Sequence, residues 1–147
     1  MKRFILLAAF ILSASASYAQ HSEIFAPEGK AIKGYDVVAF FKESKPVEGA
    51  DSLVYKYRQA DWLFASRANL EAFKAEPEKF VPQYGGYCAY GTSEGHKAPT
   101  QAETWTIVDD KLYFNYNMKV KNNWSKKREE RIEKADIQWP LIKDSRP

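Results

Sequence analysis

The chain has 147 residues, 45% of them apolar, 28% charged and 15% aromatic, a mix that fits one soluble globular domain and leaves little room for a second. Lys and Arg total 22 against 19 Asp and Glu. With Lys2 and Arg3 in a segment read as removable, the balance falls to 20 cations against 19 carboxylates, too near neutral to supply a field for nucleic acid or anionic lipid.

Met1-Lys2-Arg3 forms a short basic start, Phe4 to Leu12 is an unbroken apolar run of nine, and Ser13 to Ala19 turns small. This pattern reads as a cleavable secretory signal cut after Ala19. The run is far shorter than the ~20 residues that cross a hydrocarbon core, and no later stretch approaches a span. A periplasmic or secreted protein with no membrane span in its mature chain is the expectation. An oxidising compartment favours disulfides, yet Cys88 is the single cysteine, so no internal disulfide framework exists. A chain of this size buries about two-thirds of its unfolded surface and needs no metal to fold. Any metal bound would serve function.

Residues 20–30 are polar and read as a leader, with Ile24 and Phe25 as anchoring points, ahead of a domain over 31–140 and a tail over 141–147. Residues 32–41 are rich in β-branched and aromatic types without a clean period and form a short buried strand or a helical turn. Leu53, Tyr55 and Tyr57 alternate with polar neighbours, Gln59-Ala60-Asp61 interrupt, and Trp62 to Ala65 follow, which predicts a hairpin. Ser66 stands at an N-cap position before a helix carrying Leu70 and Phe73, and Pro77 opens a further short helical turn that Pro82 stops. Gly85 and Gly86 permit a tight turn into a short helix at Cys88, with Gly91 and Gly95 as its exits. Trp105–Val108 and Lys111–Tyr116 flank Asp109-Asp110 as a second hairpin, and Asn117 caps a final helix running to about Ala135. Trp139 is expected to pack back on the domain. No segment recurs at a period of 20–50 residues. The order implies an α+β fold, a small antiparallel sheet of two hairpins with helices packed on one side.

Several stretches together resemble the YHS domain in its exported single-domain branch: Lys33-Gly34-Tyr35-Asp36-Val37-Val38-Ala39-Phe40-Phe41, Trp62 to Ser66 with Asn69, Phe73, Pro77 and Phe80, Pro82 to Ala89, Trp105 to Val108, Lys111 to Tyr113, and Ala135 to Trp139-Pro140. The resemblance spans roughly residues 31–140. It implies an exported binding module that handles a metal ion, copper first, or a small ligand. Some YHS domains attached to heavy-metal transport ATPases carry metal on cysteines at two places, and those places here are Ala39 and Ala65, which have no ligand atom.

The remaining soft ligands are Cys88 and the only imidazoles, His21 and His96, a set that suits copper or zinc. Cys88 and His96 are eight residues apart, about 12 Å of rise on an uninterrupted helix, so joint ligation requires the chain to fold back at Gly91 or Gly95. Tyr35 and Asp36, with Tyr84, Tyr87 and Trp105, are the candidates for a small-ligand pocket. Each has a structural alternative: a capping Asp, packed rings, a thiol that fills space. Phosphate-loop, nucleophile-elbow and His-Glu-x-x-His signatures are missing. The cationic run Lys126-Lys127-Arg128 is followed at once by Glu129-Glu130, which marks a solvated face and argues against nucleic acid. Two rival readings remain open, a thiol-dependent redox protein or enzyme using Cys88 and a structural or protein-interaction domain, and no protein partner is identified.

Overall fold

A computed structural model describes residues 23–147. The secretory signal, the predicted cut after Ala19 and His21 lie outside the described residues. The first short helix is α1 (Val37–Lys42), which starts because Asp36 caps it. Of the two readings for residues 32–41, the helical turn is the one that forms. The first hairpin pairs β1 (Ala50–Tyr57) with β2 (Ala60–Phe64). Tyr57 faces Ala60 across a two-residue turn at Arg58-Gln59, both with positive φ, the backbone that matches strand twist. Ala60 and Asp61, predicted as an interruption, therefore belong to β2.

Ser66 accepts a hydrogen bond from the Asn69 N–H and opens α2 (Arg67–Ala75). Pro77 starts α3 (Pro77–Phe80). Cys88 is the N-cap of α4 (Ala89–Ser93), and Gly91 lies inside that helix, not at its exit. The second hairpin joins β3 (Thr106–Val108) and β4 (Lys111–Tyr113) through Asp109-Asp110. Asn117 caps α5 (Met118–Lys126) through the Val120 N–H. The final helix predicted to Ala135 is instead two, because Lys127 leaves helical geometry and α6 (Arg128–Ile142) begins again beyond it.

The fold is α+β, and its two hairpins form separate two-stranded sheets. The larger core holds Val37, Phe40, Trp62, Phe64 and Phe73, together with Ala102, Leu112 and Phe114 from the second hairpin region. A smaller core gathers Tyr84, Ala89, Tyr113, Trp124 and Ala135. Ile24 and Phe25 are buried, so the predicted anchoring residues of the leader are part of the core.

The two halves of the chain follow one plan at an offset of 51 or 52 residues, longer than the 20–50 typical of repeat arrays. Each begins with a left-handed turn, Ile32-Lys33-Gly34 in one and Tyr84-Gly85-Gly86 in the other, all six residues at positive φ. A tyrosine follows, whose N–H returns to the carbonyl of Ile32 (Tyr35, 3.1 Å) or Tyr84 (Tyr87, 3.0 Å). The capping residue comes next and bonds forward from its own N–H, Asp36 to the Val47 carbonyl at 2.8 Å and Cys88 to the Ala98 carbonyl at 3.0 Å. A short helix, a hairpin with a two-residue left-handed turn and a side-chain-capped helix complete each copy. Trp62 packs on Phe73 in the first at 5.0 Å, and Tyr113 on Trp124 in the second at 5.5 Å. Residues 23–25 lie between the two left-handed turns, with Phe25 donating to the Gly85 carbonyl (2.8 Å) and accepting from the Ile32 N–H (2.9 Å).

Candidate functional site

The predicted pocket residues divide among three places. Asp36 is fully buried and its carboxylate is consumed internally. One oxygen accepts from the Val38 N–H (2.9 Å) and the Ala39 N–H (3.2 Å), the other from the Ala65 N–H (2.8 Å) and the Asn69 side-chain amide (2.8 Å). Asp36 thus caps α1 and ties it to the start of α2, and no acceptor face is left for a ligand. Ala39 and Ala65, the positions where the resemblance points to cysteine, both direct N–H groups at this carboxylate. Tyr35 lies apart from Tyr84, lining a shallow hollow with Lys33, Gln101, Ala102 and Glu103. Trp105 packs on Phe40 at 5.7 Å.

Cys88 occupies the corresponding cradle of the second copy. The residue is 2% exposed, and its sulfur accepts from the Gly91 N–H (3.4 Å) and the Tyr116 N–H (3.3 Å). The thiol donates to Asn115 Oδ1 at 3.6 Å. Burial pushes its pKa up, against the opposing pull of the surrounding N–H groups, so the resting group is a thiol. His96 is exposed and packs over the outer side of Gly91, with no hydrogen bond to Cys88 among the described residues. No three His, Cys, Asp or Glu side chains are grouped to hold a metal among the described residues. A cradle lined with N–H hydrogens presents positive charge to its contents, so the donor set around Cys88 does not fit a cation.

Tyr84 leads to a different feature. A groove of about 380 Å³ runs between the Arg58 turn, α3, the Gln83–Gly85 turn and α6, lined by Glu23, Arg58, Glu78, Tyr84, Lys111, Asp136 and Trp139 among others. Tyr84 is buried and its hydroxyl donates to Asp136 at 2.9 Å. Burial, then the Asp136 charge, drives its pKa strongly upward, fixing it as a neutral donor. The Trp139 ring stands 6.1 Å from it at 62°. Arg58 is held by Glu23 at 2.8 Å and Glu78 at 2.7 Å, while Lys111 is exposed and enters no ion pair among the described residues. Tyr87 lies behind the groove, against Phe25 at 5.6 Å and Trp139 at 6.3 Å. The Lys97 ammonium sits 5.0 Å from the Tyr87 ring centre and 5.7 Å from that of Trp139, bonded to the carbonyls of Lys143 and Ser145.

Of the predicted residues, Tyr84, Tyr87 and Cys88 are adjacent through one turn, but Tyr84 faces the groove while Cys88 faces the interior. Arg58, Lys111, Asp136, Glu23 and Glu78 went unseen in the sequence because they come from five separate elements. Asp136 and Trp139 share one face of α6, which runs to Ile142, past the end expected near Ala135. No family model matches the chain, and no curated protein or solved structure matches it.

Proposed function

We propose that the chain is an exported binding module of the YHS type that takes a small polar ligand in the groove between Arg58 and α6. The observation that carries this reading is the union of two tilted rings, Tyr84 and Trp139, with a fixed carboxylate at Asp136 and the ammonium of Lys111. Rings receive a flat apolar body, and charges of both signs at the rim orient a molecule bearing an amine and an acid group. Of the two cargoes the resemblance implies, the small ligand has more support than copper, because Cys88 is surrounded by donors and Asp36 is fully bonded. The fold contributes rigidity: α6 is held to α4 through Arg131, whose guanidinium stacks 4.0 Å from the Tyr90 ring centre and pairs with Glu94.

The test is an amide-resonance titration of the mature protein with aromatic amino acids, aromatic amines and aromatic acids, and separately with Cu(I) and Cu(II). Shifts confined to residues around Tyr84, Lys111, Asp136 and Trp139, weakened at least about tenfold in Trp139→Ala, are expected, about 1.4 kcal/mol of binding. Unmoved groove resonances across all three ligand classes would remove the reading. A copper response centred on Cys88 would replace it with the metal alternative.

A further inference from the structure

The two copies hold different groups in the same cradle, and this difference carries a consequence for Cys88. In the first copy the cradle is made by the N–H groups two and three residues after the cap (Val38, Ala39), the N–H just before the next helix cap (Ala65) and a buried side-chain amide (Asn69). Its occupant is an anion, the Asp36 carboxylate. In the second copy the same positions are Tyr90, Gly91 and Tyr116. The Gly91 and Tyr116 N–H groups point at the sulfur, and the Tyr90 N–H reaches Asn115 Oδ1 beside it at 3.2 Å.

A second observation concerns the side chain beside the sulfur. Asn115 is completely buried; its Oδ1 accepts from the Cys88 thiol at 3.6 Å and the Tyr90 N–H at 3.2 Å, while its Nδ2 has no hydrogen-bond partner among the described residues. A buried amide N–H without an acceptor is costly. The second cradle therefore turns the Gly91 and Tyr116 N–H groups on the sulfur, with one acceptor, Asn115 Oδ1, beside it and one amide donor, Asn115 Nδ2, unmatched. A cysteine sulfinate, CH2–SO2⁻, supplies two oxygens on the side-chain plan of aspartate.

We propose that Cys88 is a site of oxidation to the sulfinate, and that its cradle is built to hold the product as the first cradle holds the Asp36 carboxylate. The oxidant is hydrogen peroxide. The sulfur attacks the peroxide O–O bond, an S–O bond forms, the O–O bond breaks, and the departing hydroxide takes the thiol proton as water, giving the sulfenic acid. A second hydrogen peroxide adds the second oxygen in the same way, and the sulfinic proton passes to solvent. Sulfur loses four electrons and each peroxide gains two. The Asn115 amide then turns so that Nδ2 faces a sulfinyl oxygen, and the Tyr90 N–H takes up the bond that Val38 makes to Asp36. Cys88 is 2% exposed, so the reaction is slow and the cradle acts by retaining its product. Charge-assisted bonds from four donors favour that ionised form.

The experiment treats the reduced, purified protein with increasing hydrogen peroxide and follows the Cys88 peptide by mass. Met118, 46% exposed, is the internal measure of dose. The expected result is a gain of two oxygen atoms at Cys88 that stops there, in protein whose thermal midpoint is kept or raised. The Cys88→Asp variant, which places a carboxylate in the cradle directly, is expected to melt at least about 4 °C above Cys88→Ala. A Cys88 peptide unchanged after Met118 is fully oxidised overturns the proposal, as does unfolding on oxidation or Cys88→Asp melting below Cys88→Ala. Should Cys88→Asp fail to fold, the peroxide result on the unaltered protein decides.

Discussion

Asp36 shows how a residue in a suggestive motif is used up by its own surroundings. Four donors converge on its carboxylate, and Asp36→Ala leaves all four without their acceptor, a loss expected to exceed about 3 kcal/mol in chemical denaturation. Asp36→Asn, which turns one oxygen into a donor facing other donors, is expected to fall between that variant and the parent. Gly85 is equally constrained: its φ is +60°, and a Cβ there would collide with the Glu23 carbonyl oxygen. Gly85→Ala is therefore expected to unfold the protein at room temperature, seen as loss of near-ultraviolet circular dichroism. Tyr113 sets an alkaline limit. Burial, aided by Asp136 and Asp109, pushes its pKa up to about 12 from 10.0. Between those two values the unfolded chain has released this proton and the folded one retains it, so stability falls as pH rises from about 10 to about 12. Tyr113→Phe is expected to flatten that part of the stability profile, measured by urea midpoints at successive pH values.

At the scale of elements, the caps explain most of what was legible. Ser66 and Asn117 were recognised as helix starts because a short polar side chain ahead of an apolar periodicity has few other uses, and each bonds the N–H three residues on. Ser66→Ala and Asn117→Ala are each expected to cost about 1 kcal/mol, read from the urea midpoint at constant slope. Both hairpins were also legible from alternation, the second with its turn at Asp109-Asp110 and the first with its interruption set at Gln59-Ala60-Asp61, where the turn is Arg58-Gln59. The break at Lys127 was not, since Lys126-Lys127-Arg128 contains neither Gly nor Pro and the interruption is imposed by docking of α5 and α6 on the rest of the chain. The left-handed turn Ile32-Lys33-Gly34 was hidden for a related reason. A β-branched residue at positive φ is contrary to local preference, and Ile32 is held there by burial against Gly86. The groove stayed out of reach because it is assembled from separate elements, none of which is distinctive alone.

The molecule as a whole is two copies of one plan that share a core. Ala102, Leu112 and Phe114 of the second copy are buried with Val37, Phe40 and Phe64 of the first, so neither half can bury its apolar surface by itself. One cooperative thermal transition is expected, with calorimetric and van't Hoff enthalpies equal. A fragment of residues 23–82 is expected to remain unfolded by circular dichroism; independent folding of that fragment would contradict the shared core. The repeat escaped the sequence reading because what recurs is a pattern of hydrogen bonds, while Asp36 is matched by Cys88 and Ser66 by Asn117.

Glu23 and Asp144 border the same hollow beside Arg58, although more than a hundred positions separate them along the backbone. The polypeptide can therefore be reconnected: a short glycine-rich bridge from Asp144 to Glu23, with the chain reopened in the exposed stretch at Glu43–Lys45, traces the same path in a new order. Such a rearranged gene product would carry its new ends in the loop after α1.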